Sequence, residues 1–282
     1  MDLGAELRAL DYEAAGIEPM GGGCVSSVFL VRLVRGGRVV VKADEEVSAS
    51  LPVEARMLRY LAEQTELPVP TVLHASDRFL IMEYIPGDSR FNRAADRHAA
   101  DLLADLHAIS APDYGFTDDT LIGGLHQPNP PTPSWLDFFR QHRLGYMADE
   151  AVRTGRLPPS VYKRLQTFAE HLDEWLIEPE RPSLIHGDVW TTNVLCVGDR
   201  ITGFLDPAIY FAHSEIEIAF TTLFHTFGQD FYDRYNERRP FAPGFFEVRR
   251  DIYNLYPLLV HVRLFGGSYV SSVVRVLERF GF

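Results

Sequence analysis

The chain has 282 residues, 46% of them hydrophobic and 12% aromatic, which is enough to fill a substantial core in one large domain or two modest ones. Asp and Glu outnumber Lys and Arg by 39 to 27, and the formal net charge of −12 argues against nucleic acid and anionic membrane surfaces as partners. Two cysteines, Cys24 and Cys196, make a disulfide scaffold a poor reading. With no long apolar run, and no signal or transit pattern over residues 1–10, the expected setting is a reducing cytoplasm.

In chain order, residues 5–15 read as helix and Gly21-Gly22-Gly23 as a glycine loop. Strands follow at 28–34 and 38–43, joined by Arg35-Gly36-Gly37. Pro52 opens a helix in which Val53, Met57, Leu58 and Leu61 recur at helical spacing, and this places Glu54 in the first turn. Two more strands, 71–75 and 79–84, turn at Ser76-Asp77. Pro86-Gly87 then breaks the pattern, dividing the chain into a β-rich lobe over 1–85 and a mainly helical lobe over 86–282. In the second lobe, 94–109 and 161–176 are amphipathic, and between them 111–133 reads as a long ordered loop. Apolar runs at 194–197 and 200–205 flank Gly198-Asp199, the signature of a hairpin with a two-residue turn. Helices are expected over 215–227, 230–236 and most of 248–280.

The chemistry concentrates in His186-Gly187-Asp188-Val189-Trp190-Thr191-Thr192-Asn193 and in Asp206-Pro207 thirteen residues on. Phosphoryl transfer asks little covalent work of a protein. It needs a carboxylate to orient the accepting hydroxyl and oxygen ligands to hold Mg²⁺ against the nucleotide phosphates. Asp188 suits the first role, Asn193 and Asp206 the second, and the hairpin brings the latter two together at its open end. Upstream, Gly22 and Gly23 would let backbone N–H groups approach phosphates, although an isolated triglycine is more often a plain surface loop. Lys42 closes an apolar strand, where its head can reach phosphates, and Glu54 twelve residues on can hold it there. Met82-Glu83-Tyr84-Ile85 falls where a hinge would present its backbone to adenine. Trp190 suits either stacking on a sugar face or packing against its own loop. His186 reads as a structural histidine. His213 and Glu215 are candidate substrate-side groups, though a helix N-terminus also favours an acid. Cys24, beside the glycines, reads as a small buried residue or as an oxidisable thiol.

Gly187, where eukaryotic protein kinases usually carry Arg, and Pro207-Ala208 in place of Phe-Gly point to small-molecule kinases of the aminoglycoside phosphotransferase type, which Leu106-His107 also resembles. Over nearly its whole length the chain resembles the fructosamine kinase (ketosamine-3-kinase) family. The resemblance rests on Tyr114-Gly115-Phe116, Ile122-Gly123, Gln127, Asn129, Trp135, Phe138 and Phe139, and on Asp206 through His213 with Glu215. It extends to Leu255-Tyr256-Pro257 and Gly266-Gly267-Ser268-Tyr269. It implies an α+β, bilobal protein-kinase-like fold and ATP with Mg²⁺. It also implies phosphorylation of a sugar hydroxyl, typically the 3-OH, of a small-molecule or protein-bound ketosamine, in deglycation repair by a monomer or weak dimer. Ser214 stands where members commonly carry Arg, and Glu217 where Asp is usual. The rival readings are a kinase for an aminoglycoside or choline and a catalytically silent nucleotide-binding protein.

Overall fold

The computed structural model describes residues 2–21, 26–44 and 49–282. Gly22, Gly23 and Cys24, with the phosphate-loop and redox roles expected of them, lie outside the described residues.

Helix α1 (Leu3–Ala9) starts where the Asp2 carboxylate accepts the Ala5 N–H at 3.1 Å, and it ends early, at a left-handed Asp11. The helix expected as far as residue 15 is therefore replaced by strand β1 (Ala14–Met20). Pro19 hid this strand. It is tolerated because β1 is an edge, where a missing N–H costs no ladder bond. Strands β2 (Ser27–Leu33) and β3 (Arg38–Ala43) follow, then helix α2 (Ser50–Gln64) and strands β4 (Val72–Ala75) and β5 (Phe79–Glu83). The five strands form an antiparallel sheet in the order β1-β2-β3-β5-β4. Alternation along β3 sends Val39, Val41 and Ala43 to the side packed by Leu3 and Leu7, and Val40 to the side packed by α2. Lys42 shares the parity of Val40 and so faces α2. That helix begins two residues before Pro52, which its first turn tolerates because the N–H groups there lack partners anyway, and Glu54 falls in the second turn instead of the first.

In the large lobe, α3 (Arg93–Leu106) is capped by the Asn92 side chain, which accepts the Ala94 and Ala95 N–H groups at 3.0 and 2.9 Å. The ordered stretch 111–133 contains a hairpin missed by sequence reasoning, β6 (Thr120–Ile122) and β7 (Leu125–Gln127). Its two turn residues, Gly123 and Gly124, have φ of 53° and 78°, the paired positive values a tight hairpin turn requires. Next come α4 (Trp135–Phe138), a π-helical stretch Phe139–Gly145, α5 (Tyr146–Arg153) and α6 (Pro159–Glu170). Strand β8 (Ser183–Ile185) pairs with β11 (Tyr210–Ala212), and between them in sequence lies the hairpin β9 (Val194–Val197) and β10 (Arg200–Phe204). The remainder is helical: α7 (Glu215–Leu223), α8 (Gln229–Arg238), α9 (Arg250–Tyr253), α10 (Leu255–Phe265) and α11 (Ser268–Arg279).

The wide π-helical turns seat Arg143, which is fully buried. Its guanidinium donates to the Pro128 carbonyl at 2.8 Å and to Asn129 Oδ1 at 2.6 Å, and it lies 3.7 Å from the Tyr210 ring centroid. No carboxylate pairs with it among the described residues. Carbonyl dipoles and ring faces compensate the charge instead, and the same bonds fix the segment that follows β7.

Candidate active site

The β9–β10 hairpin is tied to the segment joining the lobes. Thr202 Oγ1 donates to the Pro86 carbonyl at 2.8 Å, and Asp88 and Cys196 exchange backbone hydrogen bonds of 3.0 and 2.8 Å. Gly203 packs closely at this junction, where a Cβ would lie 2.8 Å from the Ile85 side chain and would push it aside. At the hairpin's open end the Leu205 N–H donates to the Asn193 carbonyl at 2.8 Å. This contact sets the Asn193 and Asp206 side chains side by side, both lining one cleft.

The cleft, a cavity of about 140 Å³, brings Lys42 and Glu54 of the small lobe against Asp188, Trp190, Asn193 and Asp206 of the large one. Lys42 Nζ lies 2.7 Å from Glu54 Oε1 and 2.6 Å from Asp206 Oδ1. Burial opposes its charge, but the two carboxylates outweigh burial and raise its pKa, so it stays cationic. Asp206 has φ 53°, a left-handed conformation unusual just before proline, and its carboxylate is nearly half exposed. Asn193 Nδ2 donates to the Asp188 carbonyl at 3.1 Å and to Asp188 Oδ2 at 2.8 Å. Because both neighbours are acceptors, the amide orientation is determined, and Asn193 Oδ1 takes no hydrogen bond among the described residues. Asp188 Oδ1 is likewise unpaired. Burial first, and the Asp206 charge second, push the Asp188 carboxyl up to about 8.

Asp188 also lines a second, smaller and mostly apolar cavity with Tyr210, Phe220, Tyr256 and Pro257, so its carboxyl stands between two chambers. Trp190 packs on Phe224 at 5.5 Å while facing the first chamber. The tip of β6–β7 closes the first chamber through Leu121, Gly123 and Gly124.

Behind the loop lies a support that sequence reasoning did not find. Glu217 Oε1 accepts the Gly187 N–H at 2.6 Å, and its Oε2 accepts the His186 N–H at 3.2 Å and pairs with His107 Nε2 at 2.8 Å. His107 Nδ1 in turn meets the Tyr235 hydroxyl at 2.6 Å. Burial alone would raise the Glu217 pKa, but the His107 hydrogen bond and the neighbouring donors lower it. Gly187 has φ 86°, and a Cβ would fall 2.1 Å from the Ala208 carbonyl oxygen, which no other residue type can satisfy. The available signal was an acid set among Ile216, Ile218 and Ala219, a charge inside an otherwise buried run.

The other expected residues lie elsewhere. Met82 is buried in the sheet against α2, the Glu83 N–H donates to the Thr71 carbonyl at 2.9 Å, Tyr84 lies under Arg38 and Ile85 packs on Gly203. These four sit at the lobe junction and do not line the cleft at Lys42. His213 and Glu215, expected on the substrate side, line a separate cavity, and Glu215 is engaged by Arg249 in a buried two-pronged pair at 2.6 and 2.7 Å.

The fructosamine kinase family model matches residues 4–280. This chain belongs to the fructosamine kinase family. A chloroplastic protein-ribulosamine 3-kinase of Oryza sativa subsp. indica is 34% identical over 275 residues, covering 93% of this chain and 78% of its own. A solved Thermobifida fusca structure, provisionally named fructosamine-3-kinase, superimposes with a TM-score of 0.86 at 30% identity over 99% of both chains. The aminoglycoside phosphotransferase APH(4)-Ia, at 16% identity, shares the fold alone, with a TM-score of 0.71 over 100% of this chain and 99% of that one. The bilobal, kinase-like architecture of this fructosamine kinase family member is thus the one its sequence implies.

Proposed function

We propose that this protein is an ATP-dependent ketosamine kinase, transferring the γ-phosphoryl group to a sugar hydroxyl, the 3-OH, of a fructosamine or ribulosamine. The observation that carries the reading is that Lys42, Asp188, Asn193 and Asp206 meet in one cleft, with an oxygen on Asp188 and another on Asn193 that take no hydrogen bond among the described residues. The 1–85 lobe would hold the nucleotide, through Lys42 positioned by Glu54 and through the 82–85 hinge backbone. The 86–282 lobe would hold the acceptor.

Asp188 Oδ1 orients the hydroxyl and takes its proton as the oxygen–phosphorus bond forms and the bond from the γ-phosphorus to the bridging oxygen breaks. The donor set fits a hard divalent cation: Asn193 Oδ1 and the exposed Asp206 carboxylate would hold Mg²⁺, which supplies charge neutralisation at the phosphates. Lys42 answers phosphate charge from the other side. The Asp206 charge is, after burial, the largest force keeping the proton on Asp188, so any cation shared by Asp206 favours the ionised, proton-accepting form. Trp190 offers a ring face to the sugar beside the carboxyl.

Among the described residues no helix is long and apolar enough to cross a membrane. The scarcity of cysteine supports a cytoplasmic protein acting on small-molecule or protein-bound adducts. Phosphorus NMR of the protein with MgATP and a fructosyl-amine or ribosyl-amine, beside aminoglycosides and choline, tests the reading. A sugar 3-phosphate forming only with the ketosamines is the expected result. Product from aminoglycoside or choline alone overturns it.

A further inference from the structure

The residues expected to touch substrate, His213 and Glu215, instead line a cavity of about 400 Å³ on another face of the large lobe, and that cavity carries the opposite charge to the rest of the protein. Three guanidiniums reach it. Arg238 is matched by Asp101 and Asp105, whereas Arg181 and Arg239 have no carboxylate partner among the described residues. Of the acids on its wall, Glu215 is neutralised by Arg249, and only the exposed Glu180 remains. In a chain of net charge −12 this is a local inversion of sign.

The floor is preset to donate. Arg239 is held by the Ser183 hydroxyl at 3.3 Å. The Trp135 Nε1–H donates to the Tyr253 hydroxyl at 3.0 Å, and that hydroxyl, 2.7 Å from His213 Nδ1, finds in this nitrogen its one acceptor among the described residues. The neutral imidazole therefore carries its proton on Nε2, which has no partner there, on a side chain 8% exposed that lines the cavity. Burial, then Arg249 and Arg239, lower its pKa to about 3, so the ring stays neutral at neutral pH.

From Arg181 and Arg239, neither with a carboxylate partner among the described residues, the Nε2–H of buried His213 and the Ser183 hydroxyl around one cavity, we infer a second ligand site, for the phosphate group of a small phosphomonoester. Fork-shaped guanidiniums and neutral N–H and O–H donors are the groups that hold phosphate oxygens, and the cavity has room for carbon attached to the phosphorus. The site is independent of the kinase reading.

Isothermal titration of the full chain with inorganic phosphate and, separately, with a pentose 5-phosphate tests it, using wild type, Lys42→Met, Arg239→Gln and Arg181→Gln. Lys42→Met removes the cation of the interlobe cleft, and Arg181 lies on the exposed rim, where its replacement leaves the core untouched. The expected result is binding that survives Lys42→Met and weakens roughly tenfold or more in Arg239→Gln and in Arg181→Gln, the scale of losing a charged hydrogen bond. Tighter binding of the pentose phosphate than of free phosphate identifies the phosphomonoester as the ligand class, and equal binding reduces the ligand to phosphate itself. Absence of binding at concentrations on the order of 10 mM, loss in Lys42→Met, or indifference to Arg181→Gln overturns the site. If Arg239→Gln loses its native circular dichroism, Arg181→Gln decides alone.

Discussion

Two carboxylate networks flank the loop 186–193, and they differ in almost every physical respect. In front, Lys42, Glu54 and Asp206 join residues from both lobes, and Asp206 is 46% exposed at its side chain. Behind, His107 and Glu217 are completely sealed within the large lobe and bond the loop's own backbone. Among the described residues the front set leaves oxygens of Asp188 and Asn193 without partners, and the Asp188 carboxyl pKa is pushed far above its ordinary value. In the rear set both Glu217 oxygens are engaged. Exposure and incomplete pairing mark the groups free to meet a ligand, while complete pairing marks the groups that hold them still.

The comparison breaks most sharply at Asp188. Asp188→Asn should lower kcat by roughly 10²- to 10⁴-fold, the scale of a lost general base, with ATP affinity nearly unchanged and no loss of stability. Steady-state kinetics and nucleotide titration on the same preparation check it. Glu217→Ala should do the reverse. Stripping the buried partner from His107 and orphaning two loop N–H groups should cost about 3–5 kcal/mol in denaturant unfolding, and activity should fall only because the loop has moved.

The raised Asp188 pKa sharpens the contrast. Between the ordinary 3.8 and about 8 the folded, nucleotide-free protein keeps a proton that the unfolded chain has released. The associated stability is therefore full at the acid end and lost as pH rises toward 8. Urea unfolding from pH 5 to pH 8 should show a falling stability in wild type, with that component missing in Asp188→Asn. The smallest effect is expected at Trp190. Trp190→Ala should raise KM for the sugar acceptor roughly two- to tenfold, as the loss of one stacking contact implies, and leave KM for ATP alone.

The front network was largely legible in the sequence because its spacing is local. Gly198-Asp199 announces a hairpin, and a hairpin must return Asp206 to Asn193. Lys42 and Glu54 followed from the end of an apolar strand and the start of a nearby helix. The rear network was not legible, since His107 lies 110 residues from Glu217 and 128 from Tyr235 along the chain and meets them only through packing. Strands β8 and β11 are three residues long and buried on both faces, so they show no alternation to read. The helical run 135–153 is interrupted by π-turns that break the 3.6-residue period. The surroundings of His213 and Glu215 could not be read from their neighbours in sequence. Only the positions of Tyr253 and Arg249, forty and thirty-four residues further on, show where their hydrogen bonds go.

The sealed guanidinium of Arg143 carries a consequence for how this molecule is made. Its compensating groups come from residues 128–129 and from Tyr210, well separated along the chain, so an assembly intermediate with the 139–145 turns formed but either partner absent would hold a desolvated cation without relief. Sealing of this cation is therefore expected to coincide with the docking of both partners, and Asn129→Ala should destabilise the large lobe by roughly 1–3 kcal/mol in denaturant unfolding, the cost of a buried charged donor left unsatisfied.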